Sequence, residues 1–154
     1  MDHGTWSVLT HLFPKADIPV IQLSIDKTKP AEFHFNLAKQ LASLRKKGVL
    51  IVGSGNIVHN LRLVDFANLD KDNYGFDWAF EAREKINNWI INNDLKSLIE
   101  YEKQSLAVNK AIPTPDYYLP LLYILGLKEN SENISFFNDK LVAGSLIMTS
   151  LIIS

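Results

Sequence analysis

The sequence predicts an α/β domain with a mixed, largely parallel sheet flanked by helices. Three observations carry this. Residues 18–26, Ile18-Pro19-Val20-Ile21-Gln22-Leu23-Ser24-Ile25-Asp26, set apolar side chains at alternate positions, the pattern of a strand. Phe33, Leu37, Leu41 and Leu44 then recur at helical spacing. Residues 49–52, Val49-Leu50-Ile51-Val52, form an unbroken apolar run short enough for a buried strand. Strand, helix and strand with short links make a βαβ unit, whose two strands lie parallel.

At 154 residues the chain is expected to form a single domain, residues 1–154, with room for a substantial core. A net charge of -1 offers no electrostatic attraction to nucleic acid or to an anionic membrane. The longest apolar runs, 119–127 and 146–153, are shorter than the roughly 20 residues a membrane-spanning helix needs. Cysteine is absent, which excludes disulfides and thiolate metal sites and fits a reducing compartment. Met1-Asp2-His3-Gly4 shows no basic segment leading into an apolar one. The expectation is a cytoplasmic protein.

Taken in order, Thr5 is placed to cap a short first helix that Pro14 stops. His3 stands at the positive end of that helix, where a histidine is neutral or faces an anion; the alternative is a frayed terminus without a role. Pro30 opens the second helix at its favoured first position, and Phe33, Leu37, Leu41 and Leu44 make its buried stripe. His34 flanks the stripe and is expected at the surface or boundary. Lys39, Arg45, Lys46 and Lys47 gather toward the C-terminal end, where cations suit the helix dipole, and Gly48 ends the helix.

After the strand at 49–52 comes Gly53-Ser54-Gly55-Asn56, then Ile57-Val58-His59-Asn60. Ligands of α/β proteins bind outside the carboxyl ends of the strands, which is where His59 falls. The turn is not a dinucleotide fingerprint, because the third glycine would fall at Val58. Its glycines are expected to permit positive φ angles and close backbone approach. Phe76, Ala79, Phe80, Ile86 and Ile90 predict a helix over 77–91, and a shorter helix is expected over 95–102. Residues 111–123 carry three prolines ahead of an apolar helix that starts near Asp116 or Tyr117 and closes at Gly126. Asp116, Tyr117 and Tyr118 are either one wall of a pocket or a cap with packed aromatics. Residues 134–137 and 145–153 read as two closing strands, the last apolar on both faces and hence interior to the sheet.

Four stretches occur together in this order: Asp2-His3-Gly4-Thr5-Trp6; residues 18–26; Gly53-Ser54-Gly55-Asn56-Ile57-Val58-His59-Asn60-Leu61; and Pro113-Thr114-Pro115-Asp116-Tyr117-Tyr118-Leu119-Pro120-Leu121-Leu122. In this the chain resembles the class III extradiol ring-cleavage dioxygenases, in the branch of 4,5-DOPA dioxygenase-like proteins, and Gly144-Ser145-Leu146-Ile147-Met148-Thr149-Ser150 resembles that branch's closing strand. The resemblance implies an oxidoreductase with a non-haem metal, Fe(II) or Zn(II), that opens catechol-type rings with O2. It assigns His59 to the metal and His3 to the catalytic residues that line the site. Two departures matter. The family's chain begins upstream of Asp-His-Gly and carries further metal ligands there, so the expected fold is the C-terminal portion of an N-terminally truncated extradiol dioxygenase-like domain. Tyr117 also stands where the family has histidine. The expected partners are therefore a catechol-type molecule and O2, with a homodimer or a separate N-terminal half completing the fold. The alternative is a non-catalytic α/β remnant or binding module.

Overall fold

The computed structural model describes residues 3–154, with side chains from Gly4 onward. Its centre is the short extended segment 56–60, in which Ile57, Val58, His59 and Asn60 are all buried. Both sides of this segment are stitched by backbone bonds. On one side Ile147 N donates to Val58 O (3.1 Å) and Asn60 N to Ser145 O (3.1 Å). On the other, His59 N donates to Ala111 O (2.9 Å) and Asn56 N to Tyr117 O (2.7 Å). The segment therefore joins the C-terminal strands to the proline-rich stretch, and places His59 between them.

Among the described residues there are six α-helices: α1 His3–Leu12, α2 Ala31–Arg45, α3 Asp77–Ile91, α4 Leu95–Ile99, α5 Leu106–Ala111 and α6 Leu119–Gly126. Helix α3 spans the expected residues, with Ala79, Ala82, Ile86 and Ile90 turned into the core. The expected helix over 95–102 is α4 followed by a 3-10 turn, Tyr101–Lys103. Helix α5 was not expected from the apolar pattern. Its start is marked locally, because the Ser105 side chain accepts from Val108 N and so caps an otherwise unsatisfied donor. A 3-10 turn, Pro115–Tyr117, precedes α6, and Pro120 lies in the helix's first turn where its missing N–H costs nothing. Among the described residues no helix is long and apolar enough to cross a membrane.

Helices α2 and α6 cross at backbone distance. A Cβ on Gly126 would lie 2.7 Å from Phe35 O and 2.8 Å from the Ala38 Cβ, so only glycine lets them meet. The fully buried residues of α2 are His34, Phe35 and Ala38; of the expected stripe, Leu37, Leu41 and Leu44 are half-buried, with Leu37 and Leu41 packed on the core, while Phe33 is exposed. His34 is thus an interior residue, correcting its expected place at the surface or boundary. Its two ring nitrogens lie 3.0 Å from the Tyr123 hydroxyl and 3.1 Å from Asp26 O. A carbonyl only accepts, so Nε2 carries a proton and donates to Asp26 O.

The strands depart most from expectation. The strands β1 Ile134–Phe137, β2 Leu141–Val142, β3 Leu146–Ile147 and β4 Ser150–Ile153 form two two-stranded sheets, β1 with β4 and β2 with β3, both antiparallel. A largely parallel sheet is not present among the described residues. The expected strand over 145–153 is broken between β3 and β4, and lies at sheet edges with Ile152 exposed. Asp139 anchors this region to α3, accepting from Arg83 Nη2 (2.8 Å) and from the Thr149 hydroxyl (2.5 Å). Residues 18–25 and 49–52 belong to no strand or bridge among the described residues. Their sequences are strand-like, but a strand also requires a laddered neighbour, and no ladder includes them among the described residues.

Candidate functional site

His59 is held by three separate parts of the chain. Its backbone is fixed by Ala111 O and by an isolated antiparallel bridge to Leu146. Its ring lies between two main-chain carbonyls: Nδ1 is 2.8 Å from Asn56 O, and Nε2 is 3.0 Å from Thr114 O. A neutral imidazole carries one proton and can donate to only one of them; the imidazolium satisfies both. Burial lowers the pKa of His59 below the ordinary histidine value, and it outweighs the two carbonyls and the nearby Asp116 carboxylate, which favour the cation. The ring is therefore a buried cross-link between the glycine turn and the proline stretch.

That arrangement depends on how closely those two segments approach. A Cβ on Gly55 would collide with Tyr117 O and lie 3.1 Å from the Pro120 Cγ. One on Gly53 would lie 2.9 Å from Pro120 O. Neither glycine has a positive φ; those in the left-handed region are Gly48 and Gly144. The glycines of the turn thus serve close approach alone, which corrects half of the expectation. Asn56 completes the frame, its Nδ2 donating to Ile147 O (2.8 Å) and its Oδ1 accepting from Val58 N (3.1 Å).

Tyr117 lies beside the His59 ring, with centroids 5.0 Å apart and planes tilted by 44°. Asp116 accepts from Lys27 Nζ at 3.4 Å, while its Oδ1 is buried with no partner among the described residues. Tyr117 therefore packs beside His59, and the Asp116 carboxylate is near enough to act on its charge. Tyr118 does not pack there: it is fully buried and donates to Leu98 O at 2.8 Å, so it belongs to the core. His3 opens α1, and its side chain lies outside the described residues. The sequence offered no sign of Asn56 O and Thr114 O, because both act through backbone carbonyls that every residue has.

The orphaned oxygen of Asp116 would suit a cation, but the rest of the arrangement does not. No group of three or more His, Cys, Asp or Glu side chains stands together to hold a metal ion among the described residues. His59 has no ring nitrogen free of a carbonyl, and a metal ligand needs an available lone pair. Tyr117 adds a phenol, which ionises only near pH 10 when unperturbed. This chain's described donors do not by themselves make a metal centre.

Known proteins share this architecture. A crystal structure of an uncharacterized protein from Escherichia coli K12 superposes with a TM-score of 0.87 at 39% identity, over 98% of this chain and 62% of that one. The 4,5-DOPA dioxygenase extradiol of Escherichia coli K12 is 41% identical over 154 residues, covering 97% of this chain and 55% of the relative. The protein of the same name from Portulaca grandiflora is 33% identical over 130 residues, 81% of this chain and 45% of the relative. The chain thus spans about half the length of these relatives. The family described as the catalytic LigB subunit of aromatic ring-opening dioxygenase matches residues 1–148, and the chain belongs to that family.

Proposed function

We propose that this chain forms one part of an extradiol dioxygenase site that opens catechol-type rings with O2, and that activity needs residues beyond those present here. Family membership across 148 residues carries this reading, together with the placement of His59 at the meeting point of the three motifs that the family shares. The cofactor that the family implies is Fe(II) or Zn(II), and when bound it would ease deprotonation of the diol and bring it together with O2. In this reading His59 serves the metal site and His3 acts on the substrate side as an acid or base. Tyr117 and Asp116 shape the wall beside His59, and the glycine turn keeps water from its ring. A cytoplasmic location belongs to the same proposal and rests on the cysteine-free sequence.

The test is catechol cleavage by this chain with Fe(II), alone and combined with the part of the Escherichia coli relative that it does not match. The expected result is no product from the chain alone, a yellow ring-fission product from the combination, and loss of that product in His59→Ala. Absence of product under every combination would overturn the reading. One observation favours a second reading, a binding module without catalysis: both His59 ring nitrogens are already occupied by carbonyls. Tight stoichiometric metal binding by the isolated chain that disappears in His59→Ala would refute that second reading.

A further inference from the structure

We infer that Asn56 is a positioning residue: its side chain fixes the carbonyl that selects which nitrogen of His59 carries the proton, and leaves Nε2 as the unprotonated one. The inference rests on the proposed function only for its use, because a histidine serves a site through the nitrogen that keeps its lone pair. Asn56 ends the glycine turn, and each of its polar groups is engaged. Its N donates to Tyr117 O (2.7 Å), its Nδ2 donates to Ile147 O (2.8 Å), and its Oδ1 accepts from Val58 N (3.1 Å). These bonds reach the proline stretch, strand β3 and the segment that carries His59. The fourth group, the carbonyl O, lies 2.8 Å from His59 Nδ1. A side-chain amide of this length accepts from Val58 N and donates to Ile147 O at once. Aspartate has no donor, serine has one atom for both tasks, and glutamine is a methylene longer.

The neutral ring has one proton and two carbonyls to face, so one contact sets a lone pair against an oxygen. Two features decide which contact that is. Asn56 O is the closer, at 2.8 Å against 3.0 Å for Thr114 O. It is also held, since its residue is tied at three other atoms, whereas Thr114 is exposed and its carbonyl can turn to water. The proton therefore sits on Nδ1, and the contact that yields is the one at Nε2. The side of the ring toward the proline stretch is then the side from which a further group reaches it.

The test reads the tautomer from the nitrogen-NMR shifts of the isotope-labelled imidazole, assigned by comparison with His59→Gln. The whole chain is measured at about pH 8, above the ordinary histidine range, without metal or substrate. The outcome is therefore independent of whether the chain takes part in ring cleavage. The parent should hold Nδ1–H over Nε2–H by about fivefold or more, the preference that one net hydrogen bond provides. In Asn56→Ala the carbonyl loses both side-chain anchors, and the ratio should fall toward about one. Asn60→Ala is the comparator. Asn60 adjoins His59, is the more deeply buried of the two, and donates from Nδ2 to Lys110 O (2.8 Å), so its loss disturbs the fold without touching Asn56. It should leave the ratio as in the parent. A parent with its proton on Nε2 would overturn the inference, even if Asn56→Ala does not fold. So would an unchanged ratio in a folded Asn56→Ala protein, or the same loss of preference in Asn60→Ala.

Discussion

Gly55→Ala tests whether close approach of the glycine turn to α6 holds the His59 site together. The added methyl would collide with Tyr117 O and press on Pro120, groups held by a proline-fixed turn and the first turn of α6. Neither is the loose end of a flexible side chain, so the backbones must separate. Overpacking of this kind costs about 1–3 kcal/mol. Separation also breaks the Asn56 N to Tyr117 O bond of 2.7 Å, a further loss of about 0.5–1.5 kcal/mol. Together these predict a loss of about 2–4 kcal/mol, or a Tm lower by roughly 6–12 °C for a domain of this size. Equilibrium urea unfolding followed by circular dichroism measures it. Gly48→Ala is the comparator: nothing lies within 4 Å of its added Cβ, but its φ of +80° is left-handed, so its cost is conformational. Asparagine tolerates that conformation, so Gly48→Asn should be milder than Gly48→Ala, whereas Gly55→Asn should be at least as damaging as Gly55→Ala. A Gly55→Ala protein within about 0.5 kcal/mol of the parent, the ordinary range for a neutral change, would refute the argument.

Two further outcomes follow from buried and paired groups. Tyr118→Phe should destabilise the fold by about 1–3 kcal/mol, because it leaves Leu98 O buried without its donor; an unchanged urea midpoint would show that the bond contributes nothing. Hydrogen bonding to Arg45 holds the Glu132 carboxyl down at about 2, against an ordinary 4.5. A depressed carboxylate stabilises the fold above its unfolded pKa, and that contribution fades as pH falls from about 4.5 toward about 2. The gap in urea midpoint between the parent and Glu132→Gln should therefore close across that interval, and a gap independent of pH would contradict it.

Helices were legible where neighbouring residues decide them. Helix α3 follows from its own apolar spacing, and the start of α6 from Pro115 and Pro120, since φ restriction and missing donors act within a turn. The burial of α2 was legible only in part, since Leu37 and Leu41 do pack on the core. Its spacing also predicted Phe33 inside, but Phe33 is exposed, and Gly126 of α6, distant in sequence, leaves room for Phe35 and Ala38 at the crossing, with His34 buried beside them. The strands failed for the complementary reason. Residues 18–25 and 49–52 have strand sequences but join no ladder among the described residues, and a ladder depends on residues distant in sequence.

The sequence alone determined the motif order that marks the family, the position of His59 after the apolar run, and the absence of thiol chemistry. Those are properties of residue identity and spacing. The tertiary structure decided what His59 touches. Asn56 O is three residues away and Thr114 O is 55 residues away, and both are backbone atoms that no side-chain pattern encodes. The structure also decided which glycine property matters, because Gly53 and Gly55 are required for the space they leave and Gly48 for the φ it adopts. Spacing locates a group along the chain, while its ligands, protonation and openness depend on atoms that only folding brings within 3 Å or so of it.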